Sequence, residues 1–246
     1  MIIVYTCIVG GYDDLIPQPV YEGVRYICFS DSIQASKYKN WEIMPLPNLE
    51  TSEPNLINRC LKTLPFTLNF NSNISIYIDG NVLLKLNPNN IVRKFQDSSA
   101  AIAAFKHPYR ENAKQELSEL IRTKKLNDFE IKKTKTLFKN MEGEGYGFKE
   151  TLTAGYIIMR KHDNELLNSA MRRWLEIILN ECKRDQISLQ YVLWKFQLEI
   201  MYLDDVINPQ SFFLRFNHGA YFQFLPKAPQ DLLKKIYSKL RNTFHI

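Results

Sequence analysis

Ile74-Ser75-Ile76-Tyr77-Ile78-Asp79-Gly80-Asn81-Val82-Leu83-Leu84 is the stretch whose reading decides the fold of this chain. It opens as an apolar β-type run and breaks abruptly at Asp79-Gly80-Asn81. A carboxylate and an amide flanking a glycine at the end of a buried strand can aim two oxygens at one point, because glycine lets the backbone turn sharply. Such a pair suits a hard divalent cation carrying a diphosphate. Asp-Gly and Gly-Asn are also ordinary turn dipeptides, so a plain turn accounts for the same residues.

Upstream, Ile2 to Val9 reads as a strand buried on both faces, followed directly by Gly10-Gly11-Tyr12-Asp13-Asp14. In an open α/β sheet the loop after the first strand lies at the carboxyl edge, where ligands bind. There Gly10 and Gly11 would let backbone amides approach a base or a phosphate, with Tyr12 to stack and Asp13 to accept a hydrogen bond. A simple glycine turn is the alternative. Val24 to Ser30 is a second strand with Asp31 just beyond it, and Trp41 to Leu46 a third, ended by Pro45 and Pro47. Glu53 to Thr67 turns helical, with Leu56, Ile57, Cys60, Leu61 and Leu64 at helical spacing and Pro54 in the first turn. Asn55, Arg59 and Lys62 share one face of it, either a cationic stripe for a nucleotide diphosphate or a solvated surface.

Downstream, Asn89 to Phe95 reads as a short helix, and Ala100 to Phe105 as a buried strand ending at Lys106-His107-Pro108-Tyr109-Arg110. His107 and Arg110 are therefore ligand candidates, though a lone histidine at such a place is commonly structural. Glu111 to Lys139 is charged and helical. Met141 to Phe148, with three glycines, reads as a mobile loop and a possible lid. Thr151 to Arg160 is another strand, where Gly155 would admit a substrate close to backbone. Leu166 to Leu179 is an amphipathic helix. Asp185, followed by Gln186, opens the next helix as a cap, a base or a sugar-hydroxyl acceptor. Ile200 to Leu203 is a last short strand, Phe216 to Gly219 a polar, aromatic loop containing His218, and Gln230 to Arg241 a basic amphipathic helix.

A chain of 246 residues with 45% hydrophobic side chains can bury a full core and reads as one globular domain over 1–246. Its nucleotide-binding part is expected in about residues 1–100 and its acceptor part in about residues 101–246. The formal charge of +6 favours phosphorylated ligands or anionic surfaces and is too diffuse to specify nucleic acid. Cys7, Cys28, Cys60 and Cys182 form no CxxC pair, so buried free thiols in a reducing compartment are expected and no zinc site. The apolar N-terminus lacks a basic leader and reads as a core strand rather than a signal peptide. No stretch approaches the roughly 18 apolar residues of a membrane span. The expected location is cytoplasmic, with the basic C-terminal helix a candidate for peripheral contact with the inner face of an anionic membrane.

Strands, loops and helices alternate as in one α/β domain with a mostly parallel central sheet flanked by helices. The candidate polar groups recur just past strands: Asp13, Asp31, Asp79, Asn81 and His107. The ordered runs YTCIVGGYDDL, VRYICFSD, NLINRCLKTLPF, IYIDGNVLL, AAFKHPYR, LTAGYIIMR and KRDQISLQYVLWK also resemble a glycosyltransferase-like domain of unknown function. That domain is shared by plant mucilage-related proteins and bacterial polysaccharide loci, and the resemblance covers roughly Ile2 to Trp194.

The resemblance implies a GT-A-like, Rossmann-like fold, in which a nucleotide-sugar binds at the sheet edge through a metal held by a DxD motif. Asp79 and Asn81 match the two ends of that motif, and His218 is the candidate third ligand. Because Asn81 is neutral, Mn²⁺ or Mg²⁺ should bind more weakly, or only with the donor's phosphates. The resemblance also implies that Thr6, Tyr12, Asp13, Asp31 and Gly80 face the nucleotide and that Arg59 and Lys62 lie near the donor. His107, Arg110, Gly155 and Gln186 would contact the acceptor or the donor sugar. The implied reaction moves a sugar from a nucleoside diphosphate donor, a UDP-sugar by expectation, to a hydroxyl of a glycan or lipid-linked glycan. Asp185 is the expected base if configuration inverts; a retaining course needs none. Two alternatives stay open: a nucleotidyltransferase, which wants more carboxylates than Asp79 alone, and a non-catalytic nucleotide- or carbohydrate-binding module.

Overall fold

The computed structural model of the protein describes residues 1–33, 40–49 and 51–218. Gly219 and the basic segment Gln230 to Arg241 lie outside the described residues, and with them the expected membrane contact.

Seven strands form one sheet: β1 (Ile2–Ile8), β2 (Val24–Ser30), β3 (Trp41–Met44), β4 (Ile74–Ile78), β6 (Ile102–Lys106), β7 (Thr153–Lys161) and β8 (Ile200–Tyr202). Their order is β3-β2-β1-β4-β7-β6-β8. β3, β2, β1 and β4 run parallel, β7 runs against both β4 and β6, and β6 is parallel to β8. The expected mostly parallel sheet is therefore observed, with β7 reversed in its middle. Every residue of β1 and β4 is buried, as strands covered on both faces require. The carboxyl ends of β1 and β4 lie side by side and form the edge that matters here.

Helix α1 (Pro54–Thr63) starts with Pro54 in its first turn, buries Ile57, Cys60 and Leu61, and ends ahead of Pro65. The charged stretch expected to be one helix is two: α3 (Ala113–Arg122), capped by Asn112, and α4 (Asp128–Gly143), whose start is a capping box between Asn127 and Glu130. Lys124, with a φ of 52°, turns the chain between them. The lid expected at Met141 to Phe148 is instead packed structure. Its first residues complete α4, while Tyr146 and Phe148 are buried with ring centroids 4.7 Å apart and against Phe138, Tyr191 and Trp194.

One element escaped the sequence reading. β5 (Val82–Leu84) pairs antiparallel with β9 (Phe213–Arg215), which follows the short helix α7 (Pro209–Phe212). That ribbon brings the distant segment Phe216 to His218 back beside Asp79-Gly80-Asn81. Two further helices, α2 (Asn89–Asp97) and α5 (Glu165–Asn180), cover the sheet; α6 (Leu189–Lys195) follows the turn that carries Asp185. All four cysteines are buried and free.

Candidate active site at the carboxyl edge of the sheet

The glycines after β1 do what their conformations allow. Gly10 and Gly11 both have φ of 65°, a region costly for other residues, and the Gly10 N–H donates to both carboxylate oxygens of Asp31 at 2.9 and 3.1 Å. Asp31 thus braces the glycine turn from the end of β2. At the end of β4, a Cβ on Gly80 would sit 2.9 Å from Ile8 Cδ1, so only glycine lets the Asp79 turn close against β1. Between these turns and α1 opens a cavity of about 700 Å³, lined among others by Tyr12, Asp13, Arg59, Asp79, Gly80 and His218. Tyr12 is 66% exposed and its ring lies 5.1 Å from that of His218, whose Nδ1 is 2.7 Å from Asp13 Oδ2.

Beneath this floor lies a buried charge network. Tyr77 donates its hydroxyl to Asp79 Oδ1 at 3.0 Å, which fixes the carboxylate's orientation. Lys62 Nζ stands 3.9 Å from Asp79 Oδ1 and 2.6 Å from Asp185 Oδ2, and Arg59 Nη1 stands 3.3 Å from the same Asp185 oxygen. Asp185 is held from the other side, its carbonyl accepting from the Trp174 indole at 3.0 Å. Burial alone would raise the Asp185 pKa, but the charges of Arg59 and Lys62 outweigh it and hold the carboxyl well below the usual range. The Asp185 charge in turn raises the pKa of Arg59. Gly155 makes room for this pairing: a Cβ there would meet Lys62 Nζ at 2.9 Å and Asp185 Oδ2 at 3.2 Å.

The end of β1, its glycine turn and Asp79-Gly80 thus meet at one cavity. This chain belongs to the TOD1/MUCI70 glycosyltransferase-like domain family, whose model matches residues 1–218. No curated protein matches it. Among solved structures it is similar to the apo WbbM bifunctional glycosyltransferase, at 8% identity and a TM-score of 0.47, covering 81% of this chain and 38% of that one. It is also similar to apo glycosyltransferase GlyE of Streptococcus pneumoniae TIGR4, at 6% identity and a TM-score of 0.44, covering 81% of this chain and 44% of that one. Mouse xyloside xylosyltransferase 1 in its apo form gives 7% identity and a TM-score of 0.45, covering 82% and 83%. The chain thus spans less than half the length of the first two, and likenesses this distant carry no argument about chemistry.

In this TOD1/MUCI70 domain the expected site residues divide by place. Thr6, expected to face the nucleotide, is wholly buried inside β1 and cannot reach the cavity. Lys62, read on an outward helix face, is 2% exposed and points under the floor. Asp185, expected as the base if configuration inverts, is clamped by two cations, which makes a carboxylate a poor proton acceptor, and it does not line the cavity. Gly155 serves Lys62 and Asp185 rather than an incoming substrate, and Gln186 donates to the Thr153 carbonyl at 3.1 Å. His107 Nδ1 accepts the N–H groups of Tyr109 and Arg110, and Arg110 is paired with Glu116 and His107, so this group braces itself apart from the cavity. Burial, then the Arg110 and Arg215 charges, lowers the His107 pKa to about 4.

Asn81 is buried at 5% exposure; its Nδ2 donates to the Phe216 carbonyl at 2.6 Å, and its Oδ1 accepts no hydrogen bond among the described residues. Asp79 and His218 line the cavity, and the orphaned Asn81 oxygen belongs to the same turn as Asp79 without lining the cavity; carboxylate, amide oxygen and imidazole are donor types that suit a divalent cation. No three His, Cys, Asp or Glu side chains among the described residues cluster to hold an ion alone, so a diphosphate would have to complete the shell. The sequence reading missed Lys125, Lys183 and Arg184, which also line the cavity. Their signal was only membership in charge runs. Among the described residues no helix is long and apolar enough to cross a membrane.

Proposed function

We propose that this domain transfers a sugar from a nucleoside diphosphate donor, a UDP-sugar in our reading, to a hydroxyl of a glycan or lipid-linked glycan. The observation that carries the reading is the cavity at the ends of β1 and β4, where Tyr12, Asp13, Asp79 and Arg59 meet in a chain of this family. Tyr12 offers a stacking face for the base, Asp13 an acceptor for its hydrogen bonds, and the glycine turn a close backbone approach. In this reading the cavity residues before residue 100, Tyr12, Asp13, Arg59 and Asp79 among them, form the nucleotide-binding part, and segments after residue 100 supply the acceptor side.

Asp79, Asn81 and His218 would hold Mn²⁺ or Mg²⁺, which when bound neutralises charge on the departing diphosphate. Arg59, with Lys62 below, adds fixed positive potential at the same place at no cost of reorganisation. The bond from the anomeric carbon to the β-phosphate oxygen breaks, and a bond to the acceptor oxygen forms. The acceptor proton leaves with the diphosphate. Because Asp185 is clamped between two cations, a retaining course, which needs no carboxylate base, fits this site better than inversion.

The test is thermal stabilisation by UDP, GDP and CMP, each with and without Mn²⁺, in the wild type and in Asp79→Ala. A UDP shift that needs both Mn²⁺ and Asp79 is expected, and UDP-sugar turnover with it. No shift with any nucleotide would leave the carbohydrate-binding module as the better reading.

A further inference from the structure

We infer that the acceptor is an anionic glycan, gripped through carboxylate or phosphate groups by a basic wall of Lys125, Lys183 and Arg184. The inference rests on the glycosyl-transfer reading and names the substrate class of that same cavity. The three residues come from two distant segments, the junction between α3 and α4 and the stretch between α5 and the Asp185 turn, yet they line one cavity. The Arg184 guanidinium donates to the Lys125 carbonyl at 3.3 Å and ties the two segments together.

None of these charges is well answered by the protein. Lys183 reaches Glu53 at 3.5 Å, but both side chains are more than half exposed, at 56% and 62%, so the pair is weak and screened. Among the described residues the Lys125 ammonium and the Arg184 guanidinium have no ion pair. Glu130 also lines the cavity, but its carboxylate accepts the Asn127 N–H at 3.0 Å and serves the start of α4. Arg59 differs from the wall because Asp185 already balances it. Apart from Glu130, the acidic groups of the cavity, Asp13 and Asp79, sit at the strand ends, so most of the negative charge lies across the cavity from the wall.

The donor does not use up this positive charge. A nucleoside diphosphate sugar carries about two negative charges on its diphosphate, and a divalent cation would cancel them. The wall's three cations, offset in part by Glu130 and by the screened Glu53 pair, therefore remain for a second ligand. A neutral acceptor would gain nothing from holding three like charges together, whereas an acidic one is steered in and oriented by them.

Isothermal titration of the full chain, saturated with UDP and Mn²⁺, tests this with a mannuronate tetrasaccharide, its methyl ester and a phosphorylated neutral tetrasaccharide. At least one anionic tetrasaccharide should bind, with affinity falling as salt rises, and the ester should bind about tenfold more weakly or not at all. Mannuronate alone would assign a carboxylate-bearing acceptor and the phosphorylated sugar alone a phosphate-bearing one. Charge reversal at Lys125, Lys183 and Arg184 together should lose about tenfold or more in that affinity while UDP affinity holds. Lys183→Ala with Arg184→Ala, both partly exposed and less drastic, repeats the test should reversal perturb folding. Binding of the ester as tightly as the acid, or of neither anion, overturns the inference. Loss of UDP affinity in the wall variants also overturns it, since the wall would then serve the donor and the glycosyl-transfer reading would stand. If UDP fails to bind the wild type while an acidic tetrasaccharide binds through the wall, the anionic-ligand assignment stands and the transferase reading falls.

Discussion

Strands β4 and β6 end in polar stretches at the same edge of one sheet, Asp79-Gly80-Asn81 and Lys106-His107-Pro108-Tyr109-Arg110, yet only the first opens into the cavity. After β6, His107 accepts two backbone N–H groups, Arg110 pairs with Glu116 and His107, and Lys106 pairs with Asp205 at 2.6 Å. Those groups satisfy one another. After β4, Asp79 receives one hydroxyl and a lysine at 3.9 Å and stands over a buried ion pair, and Asn81 keeps an oxygen without a hydrogen-bond partner among the described residues. The contrast teaches that a polar residue past a strand end marks a site only where its bonding capacity is left over, because a ligand can bind only what the protein has not already satisfied.

The sharpest way to break the contrast is at Asp79 and His107 themselves. Asp79→Asn should lower UDP-sugar turnover by about a hundredfold or more, as loss of several kcal/mol of charge stabilisation requires. The melting temperature should barely move, and steady-state kinetics beside a thermal melt checks both. His107→Gln, by contrast, should leave turnover intact.

Next in size is the pair under the floor. Asp185→Asn leaves the buried Lys62 with only the Asp79 carboxylate, 3.9 Å away, and should cost about 3 kcal/mol, measured by urea denaturation. A cost near zero would mean that Lys62 reaches water, contrary to its burial. Gly155→Ala drives a Cβ to 2.9 Å from Lys62 Nζ and should destabilise by about 1–3 kcal/mol, with turnover falling as the Lys62–Asp185 contact opens.

A further effect is expected on the acid limb of stability. His107 and His162 both have pKa values pushed from 6.5 down to about 4 in the fold, chiefly by burial. Between those values the unfolded chain binds protons that the folded chain refuses, so stability should fall as pH drops from about 6.5 toward 4. Replacing both histidines by glutamine should flatten that slope in pH-dependent melts.

Much of the frame was legible in the residues. β2 spans Val24–Ser30 as its apolar run predicts, β4 stops where Asp79-Gly80 begins, and α5 follows its amphipathic period. The reversal of β7 was not legible, because a fully buried run has the same composition in either direction. Nor was β9, whose three residues are too short a signal and gain their meaning only from pairing with β5. The site split the same way. Tyr12, Asp13, Arg59, Asp79, Gly80 and His218 were found as polar or flexible positions near strand ends, and all line the cavity. Lys62 and Asp185 were found too, but their spacing could not tell a ligand contact from a buried pair, since they stand 123 positions apart in the chain and only its folding decides whether they meet.

By itself, then, the sequence determined where strands and helices form, which turns need glycine, and that acidic and amide oxygens stand after the strands. These are local properties, set by side-chain periodicity and backbone sterics over a few residues. Tertiary structure alone decided that Asp185 is clamped by Lys62 and Arg59, that Asn81 is tied to Phe216, and that Lys125, Lys183 and Arg184 share one wall. The strength and even the sign of a charge's role depend on its burial and on partners distant in the chain, and only packing sets those.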